Sequence, residues 1–328
     1  MAERKIGTVV YWQNLSPILA IFRLAPEGGS SFPDYRAGQY IALRREQCKL
    51  TKKVIAPDGQ IDYVPDLDEN GVQKRGPVTH SYSISSAPFE TQQTGQLEFY
   101  IILEIDEKGE PGRLTDSLFK IDSEGNYNVT YVSRITGDFT LDKRTAGFPS
   151  VLLVGTGTGL APFASMIKQL HHKFSQGQSD GIQYTLLHTN RTCPELAYHQ
   201  EFMAIEAGQK FDFLYVPSVS RPVPRDLNDP KMGKGRANNL LRYIFEMPLK
   251  EEQTLNETGA RGEDTSQAKA ALAKTVRPVL PQHLSRQALQ ERLNPSRTVI
   301  LTCGNPLSMA DIEFIADANH IRFEKEDW

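Results

Sequence analysis

The chain has 328 residues, of which 39% are hydrophobic and 23% are charged, a composition typical of a globular protein with about two domains. Its formal net charge of −3 lacks the basic excess of a protein that neutralises many nucleic-acid phosphates. No apolar run approaches the length of a membrane span or a signal segment, so we expect a soluble, cytoplasmic protein. Cys48, Cys193 and Cys303 are widely separated, which argues against a disulfide framework, a zinc site or an iron-sulfur cluster, and no metal site is predicted.

The first part of the chain consists of short apolar runs bounded by Gly, Pro and Asp, a pattern typical of strands. Strands are predicted over residues 8–12, 18–24, 39–43, 81–85, 97–105 and 127–132. Their number and spacing favour an antiparallel barrel or sandwich over residues 1–148. One helix start interrupts the pattern, with Thr115 as the predicted N-cap and Asp116 in the first turn.

From residue 149 to residue 328, apolar strands alternate with helical patterns. Strands are predicted over 151–154, 183–188, 211–216 and 298–301, and helices over 162–174, 239–245 and 309–318. This alternation predicts a doubly wound, parallel α/β domain.

Two inserts fit neither pattern. Residues 47–78 are polar around a Pro57-Asp58-Gly59 turn, which favours a projecting hairpin. Residues 247–296 contain no Phe, Tyr or Trp, so we expect a surface excursion that adds little to the core and is partly helical around 282–293.

A Gly-rich turn at residues 155–159 lies between a predicted strand and a predicted helix. Backbone N–H groups at such a helix mouth suit phosphate, and glycines allow a ligand to approach the main chain. The strict G-x-G-x-x-G fingerprint fails, because Leu160 stands at the third glycine position. A dinucleotide site and a plain strand-to-helix connection both remain open at this point.

Arginines follow the next two strands. The second strand ends in Asn190-Arg191, where a site for NAD commonly has Asp or Glu, and an arginine there suits a 2′-phosphate instead. Ser220-Arg221 and Arg236 come after the third strand, so these guanidinium groups could converge on phosphate at the carboxyl edge of the sheet. Each arginine alone also fits a solvated surface charge.

Two further segments carry candidate chemistry. His80-Ser81-Tyr82-Ser83 places an aromatic ring and hydroxyls at a strand end, where they could stack on and bond a heteroaromatic ligand, although an ordinary amphipathic strand has the same pattern. Cys303 ends the last strand without a base to activate it, so a buried filler is the plainer interpretation.

The order of these motifs resembles the ferredoxin-NADP reductase family, in its bacterial ferredoxin/flavodoxin-reductase branch. The resemblance implies an FAD-binding antiparallel β-barrel over 1–148 and an NADP-binding α/β domain over 149–328. It matches the family's R-x-Y-S motif to residues 80–83, with Tyr82 stacking on the isoalloxazine and Ser83 bonding its reactive edge. His80 departs from this motif, because the family has an arginine there to hold the FAD pyrophosphate.

The resemblance implies further cofactor contacts along the chain. On the FAD side they are His80 and Ser81 of the same motif, Tyr100, Ile101 and Ile102 near adenine, and Arg113, Leu114 and Thr115 at a second phosphate segment. On the NADP side they are Thr158, Asn190, Arg191, Ser220, Arg221 and Arg236, with Cys303, Gly304 and Asn305 beside the nicotinamide. The terminal Trp328 would pack against FAD, or it ends a frayed polar tail.

The implied activity is hydride transfer from NADPH to FAD followed by electron transfer to ferredoxin or flavodoxin, with Tyr82, Ser83 and Cys303 at the reacting centre. Because both carriers are acidic, basic residues at the root of the first insert are a candidate docking surface: Arg44, Arg45, Lys49, Lys52 and Lys53. A flavin reductase, the reductase component of an oxygenase, and a flavin- or nucleotide-binding module without turnover remain alternatives.

Overall fold

The computed structural model describes residues 3–55, 59 and 61–326. The chain divides into two compact units between Gly137 and Asp138. The sequence-based boundary lies later, after Phe148.

The first unit is built around an antiparallel sheet. Its strands are β1 (Arg4–Ser16), β2 (Leu19–Pro26), β3 (Tyr40–Lys49), β4 (Thr51–Ile55), β5 (Ile61–Pro65), β6 (Arg75–Ser83), β7 (Leu97–Ile102) and β8 (Asn128–Thr136). Its helices are α1 (Pro88–Thr94), α2 (Arg113–Phe119) and α3 (Ile121–Glu124). Six of the strands form one sheet in the order β6-β3-β8-β1-β2-β7, which confirms all six predicted strands and the antiparallel β-barrel class.

Alternating side chains of β2 and β7 fill the core of this unit. Phe22 of β2 lies opposite Phe99 of β7, and their rings stack with centroids 5.0 Å apart. The chain leaving β6 bonds to β7, because Ser85 N donates to Glu98 O (2.9 Å) and Glu98 N donates to Ser86 Oγ (3.0 Å). The two outermost strands of the sheet are therefore joined at this end.

The first insert contains the predicted hairpin. β4 pairs with β5 in antiparallel register, from Thr51 opposite Pro65 to Ile55 opposite Ile61. The predicted turn residues Pro57 and Asp58 lie outside the described residues.

The second unit alternates strands and helices. Its strands are β9 (Ser150–Thr156), β10 (Gln183–Asn190), β11 (Phe213–Val219), β12 (Gly233–Lys234), β13 (Thr298–Cys303) and β14 (Arg322–Lys325). Its helices are α4 (Leu141–Arg144), α5 (Ala161–Ser175), α6 (His199–Ala207), α7 (Pro224–Asn228), α8 (Ala237–Ile244), α9 (Lys250–Ala260), α10 (Ser266–Ala273), α11 (Arg286–Arg292) and α12 (Pro306–Ala318). The strands form a parallel sheet in the order β12-β11-β10-β9-β13-β14, which confirms the predicted doubly wound α/β class.

The second insert contributes to the core of this unit, so the expectation that residues 247–296 add little to it is wrong. The Ser285 hydroxyl accepts a hydrogen bond from Ala288 N (3.1 Å) and caps α11. Leu289 and Leu293, one helical turn apart, are then buried against the leucines and isoleucines of α8 and α12. No helix within the described part of the chain is long and apolar enough to cross a membrane.

Candidate functional site

A cavity of about 780 Å³ lies at the carboxyl edge of the parallel sheet. Its wall includes predicted nucleotide contacts that follow different strands: Gly157 of the Gly-rich turn, Asn190, Arg191, Ser220, Arg236 and Asn305. The carboxyl ends of parallel strands are where open α/β sheets bind ligands. The fold therefore brings together, in one concave site, residues that are more than 100 positions apart in the sequence.

The Gly-rich turn packs directly against the end of β13. A Cβ on Gly159 would lie 2.2 Å from the carbonyl oxygen of Cys303, and one on Gly304 would lie 2.1 Å from Thr156 Oγ1. Gly159, one residue before the expected third glycine, thus provides the close approach. Gly157 has φ +57°, and a Cβ there would meet nothing within 4 Å, so its backbone borders open space.

Arg191 is held by an acid that the sequence analysis missed. Its Nε donates to Glu195 Oε2 (2.7 Å), and its Nη2 bonds the other carboxylate oxygen, Oε1. Glu195 is buried, and its carbonyl oxygen accepts a hydrogen bond from Asn190 Nδ2 (2.8 Å). The four-residue spacing of Arg191 and Glu195 is the signal that could have identified this pair.

The second insert supplies part of the cavity wall. Lys250 and Glu251, at the start of α9, line it together with Asp311 and Phe314 of α12. None of these residues was predicted as a site residue. The helix begins after Leu249, whose backbone N donates to the Glu252 carboxylate (3.0 Å), but leucine at the N-cap carries no capping signal in the sequence.

A buried ion pair lies beneath this end of the cavity. Arg242 is fully buried and bonds Asp311 with two donors, at 2.9 Å from Nε and 2.6 Å from Nη2. Asp311 also accepts from Asn238 Nδ2 (2.8 Å). Burial raises the pKa of the Asp311 carboxyl, but the hydrogen bonds from Arg242 and Asn238 outweigh burial, so this pKa lies below its ordinary value.

Four predicted NADP contacts do not line the cavity. Among the described residues of its wall, Thr158, Arg221, Cys303 and Gly304 do not occur. Arg221 is exposed, and its backbone N donates to Arg191 O (2.8 Å), so its main chain is adjacent to the cavity loop. The three predicted arginines therefore lie on adjoining loops, and Arg191 and Arg236 line the same cavity.

Cys303 is fully buried at the end of β13. Its thiol donates to Glu326 Oε2 over 2.8 Å, and Glu326 is itself 4% exposed. Burial and the neighbouring carboxylate raise the pKa of the Cys303 thiol, so the thiol is neutral at pH 7. The sequence analysis missed Glu326, whose backbone N bonds Thr302 O (3.1 Å). The predicted stacking residue Trp328, two positions later, lies outside the described residues.

In the first unit, the tyrosine motif lies on an outermost strand, β6. Tyr82 is half-buried against the core, Ser83 is buried, and His80 and Ser81 are exposed. Burial raises the pKa of the Tyr82 phenol well above its ordinary value, so the phenol stays neutral at pH 7. The opposite outermost strand, β7, carries the predicted adenine segment of Tyr100, Ile101 and Ile102. Tyr100 and Ile101 are buried, which leaves mainly the edge backbone to meet a ligand.

The predicted N-cap of α2 is wrong. The helix begins at Arg113 with Gly112 as its N-cap, and the Thr115 hydroxyl donates to Gly112 O (3.2 Å) from within the first turn. Leu114 and Thr115 are buried, and Arg113 is half-buried. The helix packs against β3 and β6, so the predicted phosphate segment and the tyrosine motif are neighbours in this unit.

The candidate docking surface is wrong at Arg45. This side chain is 3% exposed and donates to Ser117 Oγ (3.0 Å) and to the carbonyl oxygens of Asn126 and Asn128. Arg44 pairs with Glu46 (2.8 Å). The remaining members, Lys49, Lys52 and Lys53, are exposed. A run of basic residues on a strand alternates between faces, which is why Arg45 points inward.

Comparison with known proteins bears on the domain type of the second unit. Residues 153–256 match the family model of the oxidoreductase NAD-binding domain. The Bordetella pertussis flavohemoprotein is 33% identical over 187 residues, which is 57% of this chain and 37% of that relative. The chain thus covers little more than a third of the length of this curated relative.

Solved structures match the whole chain. A ferredoxin NADP+ reductase from Neisseria gonorrhoeae has a TM-score of 0.56 at 17% identity and covers 99% of both chains. The flavohem-like FAD/NAD-binding domain of nitric oxide dioxygenase from Vibrio cholerae has a TM-score of 0.58 at 17% identity and covers 99% of this chain and 98% of that one. This chain has the fold of the ferredoxin-NADP reductase-like modules. The resemblance predicted from the sequence is confirmed at the level of the fold.

Proposed function

We propose that the protein is an FAD-dependent oxidoreductase that takes hydride from NADPH and passes single electrons to ferredoxin or flavodoxin. The observation that carries this proposal is the convergence of the Gly-rich turn, Asn190, Arg191, Ser220, Arg236 and Asn305 on one cavity. A bound nucleotide buries much of its surface in a concave site with a few placed polar groups. The match of residues 153–256 to the oxidoreductase NAD-binding domain supports the same ligand class.

The residues of the cavity fit the parts of NADPH. The backbone beside Gly157 is open to a pyrophosphate at the start of the turn that leads into α5. Arg191 and Arg236 supply guanidinium donors for a 2′-phosphate, and the exposed Arg221 follows Ser220 on the adjoining loop. Asn305, the N-cap of α12 just after the strand that ends in Cys303, would border the nicotinamide half.

The first unit offers residues that fit FAD. Tyr82 would present its neutral ring to the isoalloxazine, and Ser83 would hydrogen-bond the ring edge. The backbone of α2 from Arg113 and the edge of β7 would take the pyrophosphate and adenine. When bound, the flavin supplies the conversion of a two-electron hydride donor into single electrons, which no side chain of this chain performs. The neutral Tyr82 phenol would pack against the flavin, whereas the neutral Cys303 thiol, fully buried against Glu326, would act only by fixing the end of β13.

The carrier is the finer part of the proposal. The solved neighbour from Neisseria gonorrhoeae is described as a ferredoxin NADP+ reductase, which favours a carrier protein. The flavohemoprotein relative favours a second candidate, a reductase module that serves a different acceptor. Electron-transfer encounters are typically small and transient, so the assay must measure turnover rather than a stable complex.

The test uses the full chain loaded with FAD. Addition of NADPH should bleach the flavin absorbance, and reduced ferredoxin or flavodoxin should appear at a rate that depends on the concentration of the carrier. If turnover is lost when free flavin or a haem protein replaces the carrier, the assignment of a carrier protein as acceptor is supported. Faster turnover with free flavin or with a haem protein refutes that assignment. Protein that binds no flavin refutes the whole proposal.

A separate variant tests the assignment of the cavity as the NADPH site. Arg236→Ala removes an exposed guanidinium from the cavity wall, and we expect KM for NADPH to rise about tenfold with little change for NADH, because one charge-assisted contact is worth roughly 1.5 kcal/mol. Arg261→Ala, which removes an exposed arginine paired with Glu263 in the second insert, is the matched control. An equal effect of Arg236→Ala on both nucleotides would contradict the assignment.

A further inference from the structure

The second insert places a carboxylate beside the cationic wall of the cavity. Glu251 Oε1 lies 3.5 Å from Arg236 Nη1. The two side chains differ in exposure, with 11% for Glu251 and 67% for Arg236. Both residues line the cavity, so any anion that approaches Arg236 also approaches Glu251.

The position of Glu251 is fixed by buried contacts. Asn239 of α8, which is fully buried, donates from Nδ2 to Glu251 Oε2 (2.8 Å) and accepts from Lys250 N at its Oδ1 (3.0 Å). Arg242 Nη1 bonds Pro248 O (2.9 Å), and Leu249 is 5% exposed. Glu251 is therefore part of the folded wall and does not belong to a solvated tail.

This carboxylate competes for the donors that a phosphate needs. A guanidinium binds phosphate through a planar fork of N–H groups, and the Glu251 carboxylate lies at ion-pair distance from one arm of the Arg236 fork. It also adds a negative charge that repels phosphate at short range in a partly buried site. A ligand without a phosphate at this point pays neither cost.

We propose that Glu251 is a specificity-determining residue. Its carboxylate weakens the binding of a nucleotide 2′-phosphate by the arginines of the cavity wall, and so lowers the ratio of the affinity for NADPH to the affinity for NADH. This inference rests on the proposed function, because it takes the cavity as the nucleotide site. The start of the second insert then has a functional role, because α9 places the negative charge of Glu251 in the cavity wall.

The test compares two probes, 2′,5′-ADP and 5′-ADP, on the full chain by titration calorimetry. Glu251→Gln removes the charge and keeps an oxygen that can accept from Asn239. We expect this variant to bind 2′,5′-ADP about threefold to fivefold more tightly and to leave 5′-ADP within about twofold, the range of a partly exposed ion pair. The gain should shrink as salt is raised, since it is electrostatic.

Two further variants separate charge from structure. Glu251→Asp keeps the charge and should keep the wild-type ratio of the two affinities. Glu257→Gln removes an exposed carboxylate from the same helix, where it accepts from Gln253, and should change neither affinity. If Glu251→Gln loosens α9, both probes weaken together, and that result overturns the proposal.

The failure of this inference is distinguishable from the failure of the proposed function. A wild-type protein that binds neither probe and is not reduced by NADPH refutes the proposed function, and the inference falls with it. A wild-type protein that binds both probes, with a ratio unchanged in Glu251→Gln, refutes only the role of Glu251.

Discussion

The buried pair of Arg242 and Asp311 gives the sharpest stability prediction. Arg242 is fully buried, and its guanidinium bonds both oxygens of Asp311 and the carbonyl oxygen of Pro248. Asp311→Asn keeps the size of the side chain and removes its charge. One amide NH₂ group then faces the donors of Arg242, so one arm of the fork loses its acceptor.

The size of the effect follows from the burial. Breaking a buried pair by removing one partner leaves an uncompensated charge and typically costs about 3–5 kcal/mol. Both side chains are at most 3% exposed, so water does not screen the remaining charge. We expect Asp311→Asn to lower the free energy of unfolding by about 3 kcal/mol or more. Arg242→Met with Asp311→Leu removes both charges and should recover most of this loss.

The assay is urea unfolding followed by circular dichroism, at pH 7 and at lower pH. Because the folded-state pKa of Asp311 is depressed, its stabilisation is present above the unfolded pKa near about 3.9 and is lost as pH falls further. Asp311→Asn should lack this acid-dependent part. A loss below about 1 kcal/mol, or a double variant that is as unstable as the single one, would refute the reasoning.

Two other predictions concern buried contacts outside the nucleotide wall. The Tyr215 hydroxyl lies 3.0 Å from Nδ1 of both His188 and His199, and burial lowers the pKa of His188 to about 3. Stability should therefore be complete above about pH 6.5 and fall as pH drops toward 3, by up to about 1.4 kcal/mol per pH unit, and His188→Gln should flatten this slope in urea titrations. Gly159→Ala should cost at least about 2 kcal/mol in thermal unfolding, since its Cβ would overlap the Cys303 carbonyl oxygen, whereas Gly259→Ala, with its nearest neighbour at 3.9 Å, should gain up to about 1 kcal/mol. A flat acid profile in the wild type, or equal effects of the two alanines, would contradict these two expectations.

Much of the fold could be predicted because apolar residues recur at the spacing of a strand or a helix. Strand β3 alternates buried side chains with more exposed ones over most of its length, and α12 repeats apolar residues at helical spacing, so local pattern and tertiary burial agree. The core contribution of the second insert could not be predicted in this way, because its buried leucines, Leu249, Leu289 and Leu293, are separated by polar sequence. Aliphatic side chains bury a helix as well as aromatic ones do, so the absence of Phe, Tyr and Trp was a poor guide.

In the candidate site, the positions of the strand ends could be predicted from the sequence, but the acidic partners of the arginines could not all be predicted. Strand ends are ordered by the chain, so the convergence of Arg191 and Arg236 could be predicted without coordinates. The acids that face them could not all be found in this way: Glu195 is only four residues from Arg191 in the sequence, but Glu251 meets Arg236 only because Asn239 docks α9 on α8. Counting arginines therefore overstates the positive charge that a ligand meets. Affinity for a second phosphate depends on which donors of each fork remain directed into the cavity, and that is a property of packing between elements.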